Sequence, residues 1–205
     1  MSTYTLTTPR GKTAYLEARD GTSDLAVLGS VFAGVAGSGL VDEYDLASLH
    51  VTGRFVDVGA HIGSVTIAVL LDNPDASAVC VEPIPENIDV LRANLRANGL
   101  TDRATVIEGA FGTDTINYGY VGSKTATVRQ LELADILPAD AIKLDCEGGE
   151  WAVLADPLIV TVPTIFGEYH GNPGSVGVTN ALGRTHRITF ADMTLSTGDF
   201  RAVER

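Results

Sequence analysis

The chain has 205 residues, which is enough for one domain with a substantial hydrophobic core. Hydrophobic residues make up 45% of the composition, a share that excludes an intrinsically disordered chain. The formal net charge of −12 disfavours a nucleic acid as the partner, because binding to phosphates depends on Lys and Arg.

Signals for membranes, secretion and zinc are missing from the sequence. No apolar run approaches the ~18 residues of a membrane span, and the first residues lack the basic and apolar regions of a signal peptide. We therefore expect a cytoplasmic protein without a membrane partner. Cys80 and Cys146 are predicted to be reduced, buried thiols, since no Cys/His spacing is typical of a zinc site.

The first 50 residues predict a small extension. Residues 4–17 alternate enough to form a hairpin around a turn at Pro9, Arg10 and Gly11. Residues 21–24 form a loop that leads into a helix with one apolar face, made of Leu25, Leu28, Val31 and Phe32, and Gly34, Gly37 and Gly39 end it. A second short helix is expected around Tyr44 and Leu46. We expect residues 1–50 to belong to the same domain as residues 51–205.

From residue 54 onward, apolar strands and helical patterns alternate. Strands are predicted at 54–58, 77–82, 104–107, 141–145 and 164–170. Helices are predicted at 62–71, from Pro85 to Gly99, at 131–137 and at 147–154. An inserted hairpin is expected over 116–120 and 125–128, and a final strand pair over 187–190 and 200–203. This order indicates an α/β fold with a doubly wound, mostly parallel sheet, in which ligands bind beyond the carboxyl ends of the strands.

The most informative segment runs from Asp57 to Gly63. An apolar strand leads into an Asp, two glycines four positions apart and an amphipathic helix, and the next strand ends on Glu82, about 20 residues after Gly63. Glycines allow a tight turn and a close approach of a ligand to the backbone. An acid at that distance can accept hydrogen bonds from both hydroxyls of a ribose. The alternative is an ordinary turn with a glycine for packing.

Two details favour a cationic cofactor over NAD. The spacing Gly-x-x-x-Gly differs from the Gly-x-Gly-x-x-Gly that wraps a pyrophosphate. The carboxylate of Asp57 would repel a pyrophosphate and would suit the amino group and sulfonium of S-adenosylmethionine. No Gly-x-x-x-x-Gly-Lys-Ser/Thr occurs, which excludes a P-loop.

Four segments resemble one family of class I S-adenosylmethionine-dependent methyltransferases, the FkbM family. They are residues 21–25, residues 57–63, residues 82–87 and residues 143–150, the last with the family's Lys-x-Asp-x-Glu-Gly-x-Glu signature. The chain departs from the family at His61, where Asn is usual. The resemblance implies a Rossmann-like methyltransferase fold, S-adenosylmethionine as the cofactor and methyl transfer to an oxygen of a small molecule or sugar.

Contacts to the cofactor are expected from residues at the carboxyl ends of the first strands. They are Asp57, Gly59, His61, Gly63, Glu82, Asn87, Ala110, Phe111 and Asp145. The alternatives are a helix cap for Asn87 and a plain strand-to-loop turn for Ala110 and Phe111.

Acid-base chemistry is expected from Asp145, Glu168 and His170, which follow or end neighbouring strands. Glu168 and His170 lie two residues apart on one face of a strand. They are either an acid and an imidazole that act together as a general base, half of a metal site, or a histidine in a salt bridge at the end of the strand. No complete metal site is assigned. Glu147 is a further candidate base, and its alternative is a carboxylate that begins a helix. Glu150 is expected at the surface or in helix packing, and His50 and His186 at the surface.

Two other functions remain open from the sequence. One is a catalytically inactive S-adenosylmethionine-binding protein that acts by interaction. The other is a nucleic-acid methylase, which the net charge disfavours and for which no Asn/Asp-Pro-Pro-Tyr/Phe motif is present.

Overall fold

The computed structural model describes residues 1–35, 42–118, 124–194 and 196–205. Three residues named above, Gly37, Gly39 and Tyr120, lie outside these ranges. Among the described helices, none combines the length and the apolar character that crossing a bilayer requires.

Strands and helices alternate through most of the chain. The strands are β1 (Ser2–Thr7), β2 (Thr13–Ala18), β3 (Arg54–Val58), β4 (Ser77–Glu82), β5 (Ala104–Glu108), β6 (Ala110–Phe111), β7 (Thr115–Tyr118), β8 (Lys124–Thr127), β9 (Gln130–Leu131), β10 (Ala141–Leu144), β11 (Thr164–His170), β12 (His186–Ala191) and β13 (Thr197–Glu204). The α-helices are α1 (Asp24–Val31), α2 (Ser64–Asp72), α3 (Pro85–Ala97), α4 (Glu150–Ala155) and α5 (Gly174–Leu182). Short 3-10 turns lie at Leu46–Ser48, Thr101–Arg103, Leu133–Asp135 and Pro157–Thr161.

The central sheet confirms the predicted doubly wound α/β fold. Within the described ranges it has seven strands in the order β12-β13-β11-β10-β3-β4-β5. The five strands from β11 to β5 are parallel, and β13 and β12 complete the sheet as antiparallel strands. The carboxyl ends of β3, β4, β10 and β11 therefore meet at one edge, which is where the sequence places its motifs.

Apolar side chains alternate between the two faces of this sheet, as the two-residue period of a strand requires. Phe55 and Cys80 join the core that contains α1, α2 and the first hairpin, whereas Val56, Val81 and Ile142 join the core that contains α4 and α5. Burial on both faces explains why β3, β4 and β10 are almost continuously apolar.

The hairpin β1–β2 is attached to α3 through two side-chain amides. Asn94 accepts from Glu17 N at 2.6 Å and donates to Glu17 O at 3.1 Å. Asn98 accepts from Tyr15 N at 2.9 Å and also donates to Tyr15 O at 2.6 Å. The helical spacing of four residues, about 6 Å, matches the strand spacing of two, about 7 Å, so both amides bind the free edge of β2.

Several predicted helices differ in extent from those observed. The helix predicted from residue 62 begins at Ser64, because His61 and Gly63 have positive φ angles of 50° and 88°. The helix predicted from Glu147 begins at Glu150, because Glu147 and Gly148 also have positive φ angles. The helix predicted over 131–137 is one 3-10 turn, and α5 was missed because its glycines and the preceding Asn-Pro resemble a loop.

Three predictions of exposure are wrong. His186 is fully buried, where Nε2 lies 2.8 Å from the carbonyl oxygen of Val162. Leu25 is exposed on α1, although the helical pattern placed it on the apolar face. Cys80 is buried as expected, but Cys146 is only half-buried, and both are free thiols.

Candidate active site

A cavity of about 1200 Å³ opens at the carboxyl edge of the parallel strands. This volume exceeds the ~300–1000 Å³ of a typical single-ligand pocket, so it has room for two ligands side by side. It is lined by most of the residues that the sequence predicts to bind the cofactor, namely Gly59, His61, Glu82, Asn87, Ala110, Phe111 and Asp145.

Gly59 connects the two sides of this cavity. Its φ is 80°, and a Cβ at this position would overlap the carbonyl oxygen of Asp145. The backbone N–H of Asp145 in turn donates to the carbonyl oxygen of Val58. Only glycine fits here, because the loops after β3 and β10 touch through bare backbone.

Three residues predicted for the site, Gly63, Asp57 and His170, are not among those that line the cavity. A Cβ on Gly63 would overlap Leu91 Cδ1, so this glycine allows α2 and α3 to pack closely. Asp57 is fully buried and accepts hydrogen bonds from the N–H and hydroxyl of Thr66 at 3.2 and 2.7 Å. Its side chain lies beneath the glycine loop, because the alternation along β3 turns it toward α2.

Glu82 ends β4 in the cavity wall and is almost fully buried. It accepts hydrogen bonds from His61 N at 2.8 Å, Ile84 N at 3.0 Å and Asn87 Nδ2 at 3.0 Å. Burial raises the pKa of Glu82, and these donors oppose that rise. Two carboxylate oxygens have about four acceptor positions, and these donors use three, so Oε2 can still accept from one hydroxyl of a bound diol.

A network from the N-terminal segment supports Glu82 from behind. Arg19 binds both carboxylate oxygens of Asp24 at 2.8–2.9 Å and donates to Asn87 Oδ1 at 2.6 Å. His61 Nε2 lies 3.3 Å from Asp24 Oδ1. Burial lowers the pKa of His61 to about 4, although Asp24 opposes this shift, so the imidazole is neutral at pH 7. We call Gly59, His61, Glu82 and Asn87 the β4 half of the site.

The opposite side of the cavity centres on Asp145, which follows β10. Its Oδ2 accepts from the hydroxyl of Tyr44 at 3.0 Å and lies 3.6 Å from Lys143 Nζ. Lys143 is buried and donates to the carbonyl oxygen of Gly59 at 2.8 Å, with Asp57 Oδ1 at 3.3 Å. Burial alone would lower the pKa of Lys143, but the carboxylates of Asp57 and Asp145 raise it overall, so the ammonium is charged.

Glu168 and His170 lie on β11 beside Asp145. His170 Nε2 is 3.6 Å from Glu168 Oε2 and 3.7 Å from Glu147 Oε2. Burial raises the pKa of Glu168. The hydrogen bond with Glu150 raises the pKa of His170 to about 9, against the effect of burial. We call Tyr44, Asp145, Glu168 and His170 the β11 half of the site.

Glu150 has a different role from the one predicted. It is fully buried at the start of α4, where it accepts from Cys146 N at 2.7 Å and Gly148 N at 2.8 Å. Its Oε1 also lies 3.0 Å from His170 Nδ1. The loop with positive φ at Glu147 and Gly148 wraps around this carboxylate, which explains why the helix begins three residues late.

Ala110 and Phe111 form the short strand β6, which pairs with β9 at the cavity wall. The hairpin β7–β8 lies at the rim, and Lys124 Nζ joins it to Glu86 of α3 at 2.6 Å. Arg19, Tyr44 and Lys143 also line the cavity, and sequence reasoning gave none of the three a role. Lys143 and the loop before Asp24 belong to the four family-like segments, so that signal was present in the sequence.

Residues 57–201 match a family model described as the methyltransferase FkbM domain. One curated relative, ribosomal RNA small subunit methyltransferase C of Shewanella amazonensis, is 26% identical over 122 residues, which cover 57% of this chain. This chain spans only 36% of the length of that relative. It also spans only 37% of EvdMO1, a protein of similar fold whose crystal structure is known.

Two solved structures have the same fold. Precorrin-6Y C5,15-methyltransferase of Geobacter metallireducens has a TM-score of 0.56 at 15% identity, with 92% of each chain covered. The N-terminal domain of EvdMO1, solved in the presence of SAH and D-fucose, has a TM-score of 0.52 at 15% identity, with 75% of this chain and 76% of that chain covered. At these identities the likeness concerns the fold.

Proposed function

The chain belongs to the FkbM family of S-adenosylmethionine-dependent methyltransferases, and we propose that it transfers the methyl group to a hydroxyl oxygen of a small-molecule or carbohydrate acceptor. The observation that carries this proposal is the shared cavity, which is lined by the whole β4 half and by Tyr44, Asp145 and Glu168 of the β11 half. His170 lies next to that lining, with its Nε2 3.6 Å from Glu168 Oε2. The division into an extension, residues 1–50, and a methyltransferase domain, residues 51–205, remains part of the proposal, as does a cytoplasmic location.

The β4 half has the donor and acceptor groups that S-adenosylmethionine needs. In the proposal, Glu82 accepts a hydrogen bond from the ribose, the loop at Gly59 presents bare backbone, and Phe111 packs against the base. When bound, the cofactor supplies an electrophilic methyl group on a sulfonium. Asp57 acts indirectly, because its carboxylate holds Lys143 beneath the loop.

The β11 half would orient the acceptor and receive its proton. Tyr44 and Lys143 both contact Oδ2 of Asp145, so Oδ1 is the oxygen that we assign to the acceptor proton. Without a bound cation, His170 is protonated at neutral pH, and its charge opposes the rise in the pKa of Glu168. Holding the acceptor hydroxyl in line with the methyl group can contribute several kcal/mol to the rate, up to ~7–11 in ideal cases.

Two observations bear on the choice of acceptor. The curated relative is named as a ribosomal RNA methyltransferase, which keeps a nucleic-acid substrate as the second candidate. Against it, the chain has a net charge of −12, and Glu43, Glu147 and Glu168 line the cavity. Because the N-terminal domain of EvdMO1 was solved with D-fucose present, sugars are the first acceptors to screen.

Calorimetric titration with S-adenosylmethionine, with NAD as the control, tests the cofactor. We expect micromolar binding to the first and none to the second. Methyl transfer to a panel of sugars, small hydroxyl compounds and RNA then tests the acceptor. Binding without transfer to any class would favour an inactive interaction protein, and transfer to RNA that weakens steeply with salt would favour the second candidate.

A further inference from the structure

Three potential metal ligands converge in the β11 half. A carboxylate oxygen of Asp145, a carboxylate oxygen of Glu168 and an imidazole nitrogen of His170 all lie within 4.8 Å of one another. Asp145 directly follows β10, and the other two lie on β11, which pairs with β10 in parallel register. Two hydrogen-bonded strands therefore fix the relative positions of the three side chains.

The imidazole is held in the orientation that metal-binding histidines have in proteins. Its Nδ1 lies 3.0 Å from Oε1 of the fully buried Glu150, which is itself held by two backbone N–H groups. Trp151 Nε1 donates to the carbonyl oxygen of His170 at 2.7 Å and fixes the backbone there. Histidines that bind metals usually make such a contact with a carboxylate through the second nitrogen. Nε2 faces Glu168, with 3.6 Å to its Oε2, and a cation that binds there would displace the proton from this nitrogen.

The charges around this group favour a cation. Asp145, Glu147 and Glu168 converge here. Lys143 Nζ lies 3.6 Å from Asp145 Oδ2 but is closer to Asp57 and to the carbonyl oxygen of Gly59, so Oδ1 of Asp145 is the oxygen that we assign to the cation. Two carboxylates and one imidazole suit hard divalent ions such as Mn²⁺ or Mg²⁺ better than soft ions that prefer thiolates.

We propose that Asp145, Glu168 and His170 form a binding site for a divalent cation in the β11 half. The inference rests on the proposed function, because a cation there would contact an acceptor hydroxyl beside the cofactor. A coordinated hydroxyl is more acidic than a free one, so with the cation bound Asp145 would serve as a ligand and the hydroxyl proton would pass to water in the cavity.

A second acidic group gives an internal control. Oxygens of Glu43, Glu168 and Asp199 also lie within 4.8 Å of one another. This group has no imidazole and Glu43 is exposed, whereas His170 of the first group is held by the buried Glu150. The two groups share Glu168 but differ at His170 and Asp199, and these two positions separate them.

The test is calorimetric titration of the chelator-treated full chain with MnCl₂. We expect one Mn²⁺ per chain, about tenfold or more weaker binding in His170→Gln, and little change in Asp199→Asn or in His50→Gln, which alters an exposed histidine. Absence of Mn²⁺ binding, or loss in Asp199→Asn with retention in His170→Gln, would overturn the proposal. If His170→Gln fails to fold, Asp145→Asn takes its place with the same expectation.

Titration of the same samples with S-adenosylmethionine, with and without chelator, separates this inference from the proposed function. Cofactor binding that persists while Mn²⁺ fails to bind overturns the metal site alone. Mn²⁺ binding without cofactor binding supports the metal site and contradicts the proposed function.

Discussion

The carboxylates in the two halves of the cavity are stabilised in different ways. In the β4 half, Glu82 is held by three N–H donors from the loop after β3 and the start of α3. In the β11 half, Asp145 and Glu168 face each other and are balanced by Lys143 and His170. The first arrangement is held by hydrogen bonds from N–H groups, whereas the second depends on ion pairs whose protonation states can change. A constant ligand suits the β4 half, and a reacting group that gains or loses charge suits the β11 half.

The largest effect is expected for Gly59→Ala, where the two halves touch. A methyl group there would overlap the carbonyl oxygen of Asp145, and φ is 80°. We expect a loss of stability on the order of 3 kcal/mol, measured by denaturant unfolding, and loss of cofactor binding. Gly99→Ala is the matched control, because φ is 66° and nothing lies within 4 Å, so it should lose only ~1 kcal/mol. Equal losses would mean that the contact between the loops is unimportant.

Glu82→Gln separates the halves. Loss of a charge-assisted hydrogen bond to a ribose costs about 1.5–3 kcal/mol, so the affinity for S-adenosylmethionine should fall roughly 10- to 150-fold in calorimetry. Mn²⁺ binding to the β11 half should not change. Glu108→Gln alters the exposed residue next to Glu82 at the end of β5 and should have no effect. Unchanged cofactor affinity in Glu82→Gln would contradict the ribose assignment.

Asp145→Asn tests the other half. We expect turnover to fall by roughly 100-fold or more, because the variant lacks the carboxylate that assists deprotonation of the substrate hydroxyl. The affinity for S-adenosylmethionine should stay within about twofold of the wild type. Asp75→Asn, in the exposed loop before β4 at the opposite edge of the sheet, is the control. Full activity in Asp145→Asn would remove this residue from the chemistry.

The smallest effect concerns the support behind the β4 half. The pKa of His61 falls from 6.5 to about 4 in the folded chain, mainly through burial. Between pH 6.5 and about 4, His61 is therefore protonated in the unfolded chain but neutral in the folded chain. The stability that the neutral, buried His61 contributes is present above pH 6.5 and is lost as the pH falls toward 4. The Tm of the wild type should drop more steeply than that of His61→Gln between about pH 7 and about pH 4.5. Parallel curves for the two proteins, with His50→Gln as a reference, would rule out this coupling.

The sheet and its order of motifs could be predicted because strand and helix periods are local. β3, β4 and β11 have the predicted bounds, and Glu82 lies in the cavity as expected. Asp57 is buried against Thr66 of α2, and the sequence could not show this, since the direction of its side chain depends on which face of β3 turns toward α2. An Asp at this spacing from two glycines has the same sequence pattern whether its side chain lies above the loop, toward a ligand, or beneath the loop. The pattern alone therefore does not distinguish the two positions.

Glu150 shows a second limit. Helical spacing indicates an outward or packing position, yet the positive φ angles of Glu147 and Gly148 turn the chain back over its carboxylate. Such angles are not visible in the residue type of Glu147, because a non-glycine residue adopts them only when the surrounding structure requires it. Tyr44 and Arg19 reach the site across long sequence separations, and no local pattern indicates such contacts.

The two amides that bind the free edge of β2 also bear on self-association. An open strand edge can pair with the same strand of another molecule, and such pairing leads to aggregates. Asn94 and Asn98 occupy the N–H and C=O groups of Glu17 and Tyr15 that a second strand would need. A helix thus protects this edge with side chains alone, and its two asparagines help to keep separate molecules apart.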